Sequence, residues 1–255
     1  MTDDEFWFEA QVLLDYFSRG VPPAEAADCD IVLVLGNEST AGLFAATDFI
    51  RHQAREAGAA ILSGGTGYRT RYLRRHVRSR FPSAAQWGDL DHLAEARIYE
   101  RLLPGLGLGL PVEVEDTSRH TTDNFVKSEP HLLRLLAGCR SRDRVKVTVF
   151  QTCAQRFRAQ AAGRAAWRHL AVEVAVVEFD RIRLDPVADP AGAVLAVYRL
   201  VGWKSRTPAN DTAGEVEVFD CHHPEVEISE PIRGAFAEVQ VEFDRRLRER
   251  PPGGA

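Results

Sequence analysis

Two hydrophobic rhythms alternate along most of this chain, one with the period of a buried strand and one with the period of a helix. Ile31, Val32, Leu33, Val34 and Leu35 form an unbroken apolar run ending at Gly36, the pattern of a strand buried on both faces of a parallel sheet. Residues 40–57 follow as a helix, with Leu43, Ala46 and Ile50 on one side and Gly58 as its stop. A second short strand spans 59–62 and ends in Ser63-Gly64-Gly65-Thr66-Gly67. Helices are predicted over 68–80 and 92–103, a strand over 112–115, and a helix over 125–136 that Thr121 or Thr122 would cap. Pro130 lies inside that helix and is expected to kink it or split it. Two β-branched strands, 145–150 and 172–179, flank a helix over 154–170.

This alternation predicts an α/β fold: a Rossmann-like open, mainly parallel sheet of about five strands with helices on both faces. A leading helix over 6–17 carries Phe6, Ala10, Leu13, Leu14 and Phe17 at helical spacing. Beyond Asp180 the rhythm lapses. Residues 191–201 read as helix, 204–214 as loop, and 215–219 and 225–228 as half-buried strands around the turn at 220–224. An amphipathic helix over 231–250 precedes a frayed tail. The division expected is an α/β ligand-binding domain over 1–180, including the leading helix, and a smaller C-terminal helical and hairpin part over 181–255 packed on it.

Composition narrows the function classes. The 255 residues are 45% hydrophobic, enough for one substantial core, and the net charge of −5 argues against a nucleic-acid partner. The exception is the basic run Arg69, Arg71, Arg74, Arg75, His76, Arg78 and Arg80. Arg69 is the member best placed for an anion, and most of the others read as a solvated helix face. No apolar run approaches the roughly 18–20 residues of a membrane span, and the acidic start Met1 to Glu5 lacks the order of a secretory signal. Cys29, Cys139, Cys153 and Cys221 are widely spaced, without a CxxC pair. A cytoplasmic protein without a membrane partner is expected. Oligomeric state is left open.

The candidate chemistry gathers where strands give way to helices, the edge at which open parallel sheets bind ligands. Ten consecutive residues, Glu115 to Asn124, all carry hydrogen-bonding side chains, with Glu115, Ser118, Thr121 and Asn124 at one such junction. Gly36 and Asn37 follow the first strand, where a glycine admits a ligand to the backbone and free amides favour an anion. Ser63, Gly64, Gly65 and Gly67 suit a nest of amides around phosphate or carboxylate, although a sharp turn is the alternative. Neither a Walker A loop nor a GxGxxG fingerprint is present. Glu95 precedes the third strand and could bond a ribose or take a proton. Gln151 and Thr152 end the fourth strand, with Arg156 and Arg158 as anion candidates. Cys153 reads as a small buried hydrophobe, since no histidine is placed to activate it. Cys221-His222-His223 has metal-binding residue types, but adjacent side chains on a strand point oppositely.

Taken together, these pieces resemble the YdcF-like branch of the family that also includes SanA and ElyC. The resembling residues are Val34 to Asn37, Leu62 to Gly67, Leu93 to Arg97 around Glu95, Glu115-Asp116 with Ser118, Thr121 with Asn124, and Gln151 with its trailing arginines. They cover about residues 29–160. The resemblance implies a Rossmann-like domain, a smaller C-terminal part, a ligand crevice lined by these loops, and S-adenosylmethionine as the associated ligand. His120 and Ala154 depart from the family pattern, which often has Asn and His there.

Three functions are therefore expected. The first is binding of an adenosine-containing or phosphorylated small molecule, with S-adenosylmethionine as leading cofactor candidate and a transferase reaction as its extension. Gly64, Gly65 and Gly67 would admit the anionic group, Asn37, Ser118, Asn124 and Gln151 would orient polar atoms, Arg69 would balance charge, and Glu95 or Glu115 would be the general base. The second is a phosphate or diphosphate ester hydrolase or transferase, with Glu115, Asp116 and Asp123 as oxygen ligands if a divalent metal takes part. The third is a metabolite sensor without turnover.

Overall fold

The computed structural model describes residues 1–17, 20–54, 56–67, 69–138, 144–152, 155–180, 183–189, 193–194, 196–197 and 230–249. The chain divides into two compact units, Gly20–Phe179 and Met1–Arg19 with Asp180–Ala255.

Five strands, β1 (Ile31–Leu35), β2 (Ala59–Ser63), β3 (Val112–Glu115), β4 (Val145–Phe150) and β5 (Val172–Val176), form one sheet in the order β3-β2-β1-β4-β5. All four pairings are parallel, so this is a Rossmann-like α/β fold. Every residue of β1 and β2 is buried, which is why both strands are written as apolar runs without alternation. Alternate strand positions feed two cores. Val32, Val34, Ala60, Leu62 and Phe150 pack with Leu43, Ala46 and Phe49 of α2 (Ala41–His52), Leu73 and Val77 of α3 (Thr70–Arg80), and Ile98 and Tyr99 of α4 (Glu95–Leu102). Ile31, Leu33, Leu35, Ile61, Val147 and Val149 pack with Phe125 and Leu132 of α5 (Thr121–Gly138), and with Ala159 and Ala162 of α6 (Arg156–Ala166). Helices thus cover both faces.

Three local details differ from the sequence expectation. α5 runs through Pro130 as one helix, so of the kink or split expected there the split does not occur. The proline removes only one helical donor, the partner of the Val126 carbonyl, and the helix continues on both sides of it. His120, rather than Thr121 or Thr122, caps α5: its Nδ1 accepts the Asp123 amide at 3.3 Å, and the Asp123 carboxylate reaches back to the Arg119 amide. The helix predicted over 92–103 begins only at Glu95, after a 3-10 turn over Leu90–His92.

In the other unit, α1 (Asp3–Phe17) packs against α7 (Glu230–Glu249), with the Arg246 guanidinium 4.3 Å from the Phe6 ring centroid and 2.7 Å from Asp3. The leading helix is therefore grouped with C-terminal residues, whereas the sequence placed it with the α/β domain. The predicted strands 215–219 and 225–228, the turn with Cys221-His222-His223, the loop 204–214 and the residues Cys139, Cys153 and Ala154 lie outside the described residues, as does most of the helix 191–201. Among the described residues no helix is long and apolar enough to cross a membrane.

Candidate functional site at the carboxyl edge of the sheet

Because all strands run the same way, their carboxyl ends share one edge, and registry keeps those ends level. Leu35 of β1 pairs with Ser63 of β2, and Ser63 pairs with Glu115 of β3. The ladder continues one step past the strands: the Gly36 amide donates to the Ser63 carbonyl (2.6 Å) and the Gly64 amide to the Glu115 carbonyl (2.9 Å). Strand order reverses between β1 and β4, and a crevice at such a switch point is where open α/β sheets take ligands. Asn37, after β1, and Gln151, after β4, meet there. The Asn37 Nδ2 donates to Gln151 Oε1 at 2.6 Å and to Thr152 Oγ1 at 2.9 Å. Both residues are buried, and Gln151 Nε2 makes no hydrogen bond among the described residues.

The glycine loop does something other than expose its amides. Gly65 donates to Ser118 Oγ (3.1 Å) and Gly67 to Thr70 Oγ1 (2.8 Å), while Gly64 is held by Glu115 as above. These three amides are committed to protein acceptors instead of forming an open anion nest. The loop's carbonyls are equally employed: Gly64 accepts the Ala96 amide at 2.8 Å and Gly65 the Glu95 amide at 3.0 Å. No side chain caps α4, so these two carbonyls satisfy donors that its first turn would otherwise leave free. The glycines are needed because chains cross here with no room for a Cβ. One added at Gly64 would lie 2.8 Å from the Gly36 Cα, and one at Gly36 would overlap Glu95 Oε2.

That crossing fixes Glu95 in the site. Its Oε1 accepts the Thr70 hydroxyl at 2.9 Å, and Oε2 rests against Gly36 and Gly64 without a hydrogen bond among the described residues. The residue is 9% exposed. Burial pushes the carboxyl up to about 7; the Thr70 bond and nearby Arg69 and Arg74 oppose the rise, and Glu38 adds to it. Near neutral pH this group can both give and take a proton.

The raised value has a stability consequence. The fold prefers protonated Glu95, so its contribution is complete below the ordinary 4.5 and disappears as pH rises through about 7. From pH 5 to pH 8, Glu95→Gln should gain about 2 to 3 kcal/mol relative to the parent protein in urea unfolding. An offset between the two proteins that stays constant with pH would show the carboxyl to be ordinary.

Glu115 has the opposite surroundings. Oε1 accepts the Thr117 amide (2.7 Å), the Thr117 hydroxyl (2.8 Å) and the Ser118 amide (2.8 Å), and Oε2 accepts the Ser63 hydroxyl (2.7 Å). It ties the β3–α5 loop to the end of β2. Asp116 is paired with Arg97 at 2.7 Å, and Asp123 with Lys127 at 3.3 Å. No group of three or more His, Cys, Asp or Glu able to hold a metal exists among the described residues.

The remaining predicted residues fall into place around this edge. Ser118 is buried beside the glycine loop, and Thr121 is buried at the start of α5. Asn124 is buried, its carbonyl accepting the Ser63 hydroxyl at 3.3 Å and its Oδ1 lacking a partner among the described residues. Arg69 pairs with Glu38 at 3.3 Å. Arg158 is buried in the first turn of α6, and neighbouring Arg156 stacks 5.4 Å from the Phe179 ring centroid.

Sequence reasoning missed Glu38, Thr70 and Tyr99 as members. Thr70 stands three residues past Gly67, the spacing of a hydroxyl that closes a turn. Tyr99 is one helical turn from Glu95, and its hydroxyl donates to the Ser39 carbonyl at 2.7 Å, fastening the β1–α2 loop to α4. No protein-family model matches this chain, and comparison with curated proteins returned no match.

Proposed function

We propose that this protein, a cytoplasmic one, binds an adenosine-containing or phosphorylated small molecule in the crevice between the ends of β1 and β4. S-adenosylmethionine is the leading candidate, and methyl transfer is the reaction class that would follow. The observation carrying this is the buried Asn37–Gln151 bridge across the switch point, one strand away from a buried carboxyl that titrates near neutrality. Polar atoms along this edge fit a polar ligand: Gln151 Nε2 at the end of β4 and Glu95 Oε2 against Gly36 and Gly64 take no hydrogen bond among the described residues, and Asn124 Oδ1, beside the end of β2, is buried without a partner among them. The preference for S-adenosylmethionine comes from the resemblance to YdcF-like proteins. Asn37 and Gln151 would orient the ligand, and ionised Glu95 would accept the proton that a methyl acceptor releases. Positioning would supply most of the acceleration.

Thermal unfolding with S-adenosylmethionine, S-adenosylhomocysteine, AMP, ADP and ATP tests this directly. A ligand at one hundred times its Kd should stabilise the fold by about 2.7 kcal/mol. Gln151→Ala should weaken its binding about ten-fold or more, as expected for loss of a buried hydrogen-bonding pair. If none of the five moves the transition, the assignment fails.

A further inference from the structure

The charged groups facing Glu95 come from three elements. Glu38 belongs to the β1–α2 connection, Arg69 and Arg74 to the start and body of α3, and Tyr99 to α4 itself. Burial keeps the Tyr99 phenol well above its ordinary range, so it adds no charge at neutral pH. Neither guanidinium bonds Glu95. Arg69 pairs with Glu38 at 3.3 Å, and Arg74 Nη2 donates to the Leu93 carbonyl at 2.7 Å. The only hydrogen bond to Glu95's carboxyl among the described residues is the neutral Thr70 hydroxyl. Glu38 is thus matched by a cation in contact, whereas an ionised Glu95 is not.

Resting on the ligand assignment above, we propose that Glu95 is the counter-ion for a cationic centre on the ligand, a sulfonium or ammonium, and that such a ligand expels the Glu95 proton to solvent on binding. A neutral analogue of the same shape leaves that proton in place. The balance is simple: the ligand's positive charge enters, one proton leaves, and no bond other than O–H is broken. A buried, unmatched carboxylate is costly, and a ligand cation a few ångströms away removes that cost. Selection between a charged ligand and its neutral product would then depend on pH, because only the charged ligand gains affinity as Glu95 loses its proton.

Isothermal titration in buffers of different ionisation enthalpy counts the protons. S-adenosylmethionine carries the sulfonium and S-adenosylhomocysteine the neutral thioether. The ligand's own amine titrates alike with either protein, so subtracting the Glu95→Gln result isolates the carboxyl. At pH 7, S-adenosylmethionine should release about half a proton more from the parent protein than from Glu95→Gln. S-adenosylhomocysteine should show no such difference. Relative to that variant, the Kd for S-adenosylmethionine should tighten about ten-fold from pH 6 to pH 8. Glu38→Gln removes the carboxylate that adds to the effect of burial on Glu95, so it should reduce the proton release at pH 7 while leaving Glu95 in place, which keeps the test decisive should Glu95→Gln fold poorly. Binding of both ligands with equal proton counts overturns this inference alone. Binding of neither overturns the ligand assignment and this inference together.

Discussion

Gly65→Ala is expected to destabilise the α/β unit by at least about 3 kcal/mol, lowering the thermal midpoint by roughly 10 °C. A Cβ at that position would overlap the Ser118 carbonyl oxygen and lie 2.8 Å from the Thr117 carbonyl carbon and 2.9 Å from the Ser118 nitrogen. All three are backbone atoms, so no rotamer change relieves the overlap. The loop cannot drift away cheaply either. Gly65 is bonded on one side to Ser118 Oγ and on the other to the Glu95 amide, while Glu115 pins Thr117 and Ser118. Whichever chain moves, a buried hydrogen bond is stretched. Gly109→Ala is the control: nothing lies within 4 Å of its added Cβ, and its stability should stay within about 0.5 kcal/mol of the parent protein. Urea unfolding of both variants decides the matter. Near-equal stabilities would mean that the β2–α3 and β3–α5 loops are not in contact as described.

The same glycine shows what the sequence could and could not reveal. All five strands were legible: β1 and β2 as apolar runs because every residue in them is buried, β4 and β5 as β-branched stretches although some of their positions are not buried, and β3 as the short stretch at 112–115; the loops at their carboxyl ends were legible as clusters of Gly, Ser, Thr and Asn. Parallel topology alone then brings Gly65 to Ser118 and Asn37 to Gln151. The purpose of the glycines was not legible. A missing Cβ serves a ligand and a crossing chain equally well, and only the coordinates show that the space at Gly36 and Gly64 is taken by Glu95 and at Gly65 by the Ser118 backbone. Helical periodicity likewise identified the apolar face of α1 but carries no information about its cover, which turned out to include α7. Glu95 and Glu115 looked interchangeable as bases because a carboxylate's function depends on who donates to it. That census is three-dimensional for Glu95. For Glu115 it is largely local, since three of its four donors lie within three residues.

Glu115→Ala is accordingly expected to cost about 3 kcal/mol, and Glu115→Gln only about 1. The alanine leaves the buried Ser118 amide without an acceptor, along with the Thr117 amide and hydroxyl, and charge-assisted bonds are about twice as strong as neutral ones. Glutamine keeps one acceptor oxygen, which can stay at the Oε1 position and hold those three donors. Its amide then faces the Ser63 hydroxyl, which can accept that bond and donate instead to the Asn124 carbonyl, already 3.3 Å away. The loop therefore survives in glutamine with weaker bonds and collapses in alanine. A base would behave otherwise, because glutamine cannot take a proton and would abolish turnover while leaving the fold intact. Unfolding free energies, read beside ligand affinity for the same two variants, separate the roles. A scaffolding Glu115 predicts graded loss of stability from Gln to Ala, with affinity kept within about three-fold in Glu115→Gln. Equal stability in all three proteins would remove Glu115 as the tie between β2 and the β3–α5 loop, and with it the reason that Gly65, Ser118 and Glu95 hold their places.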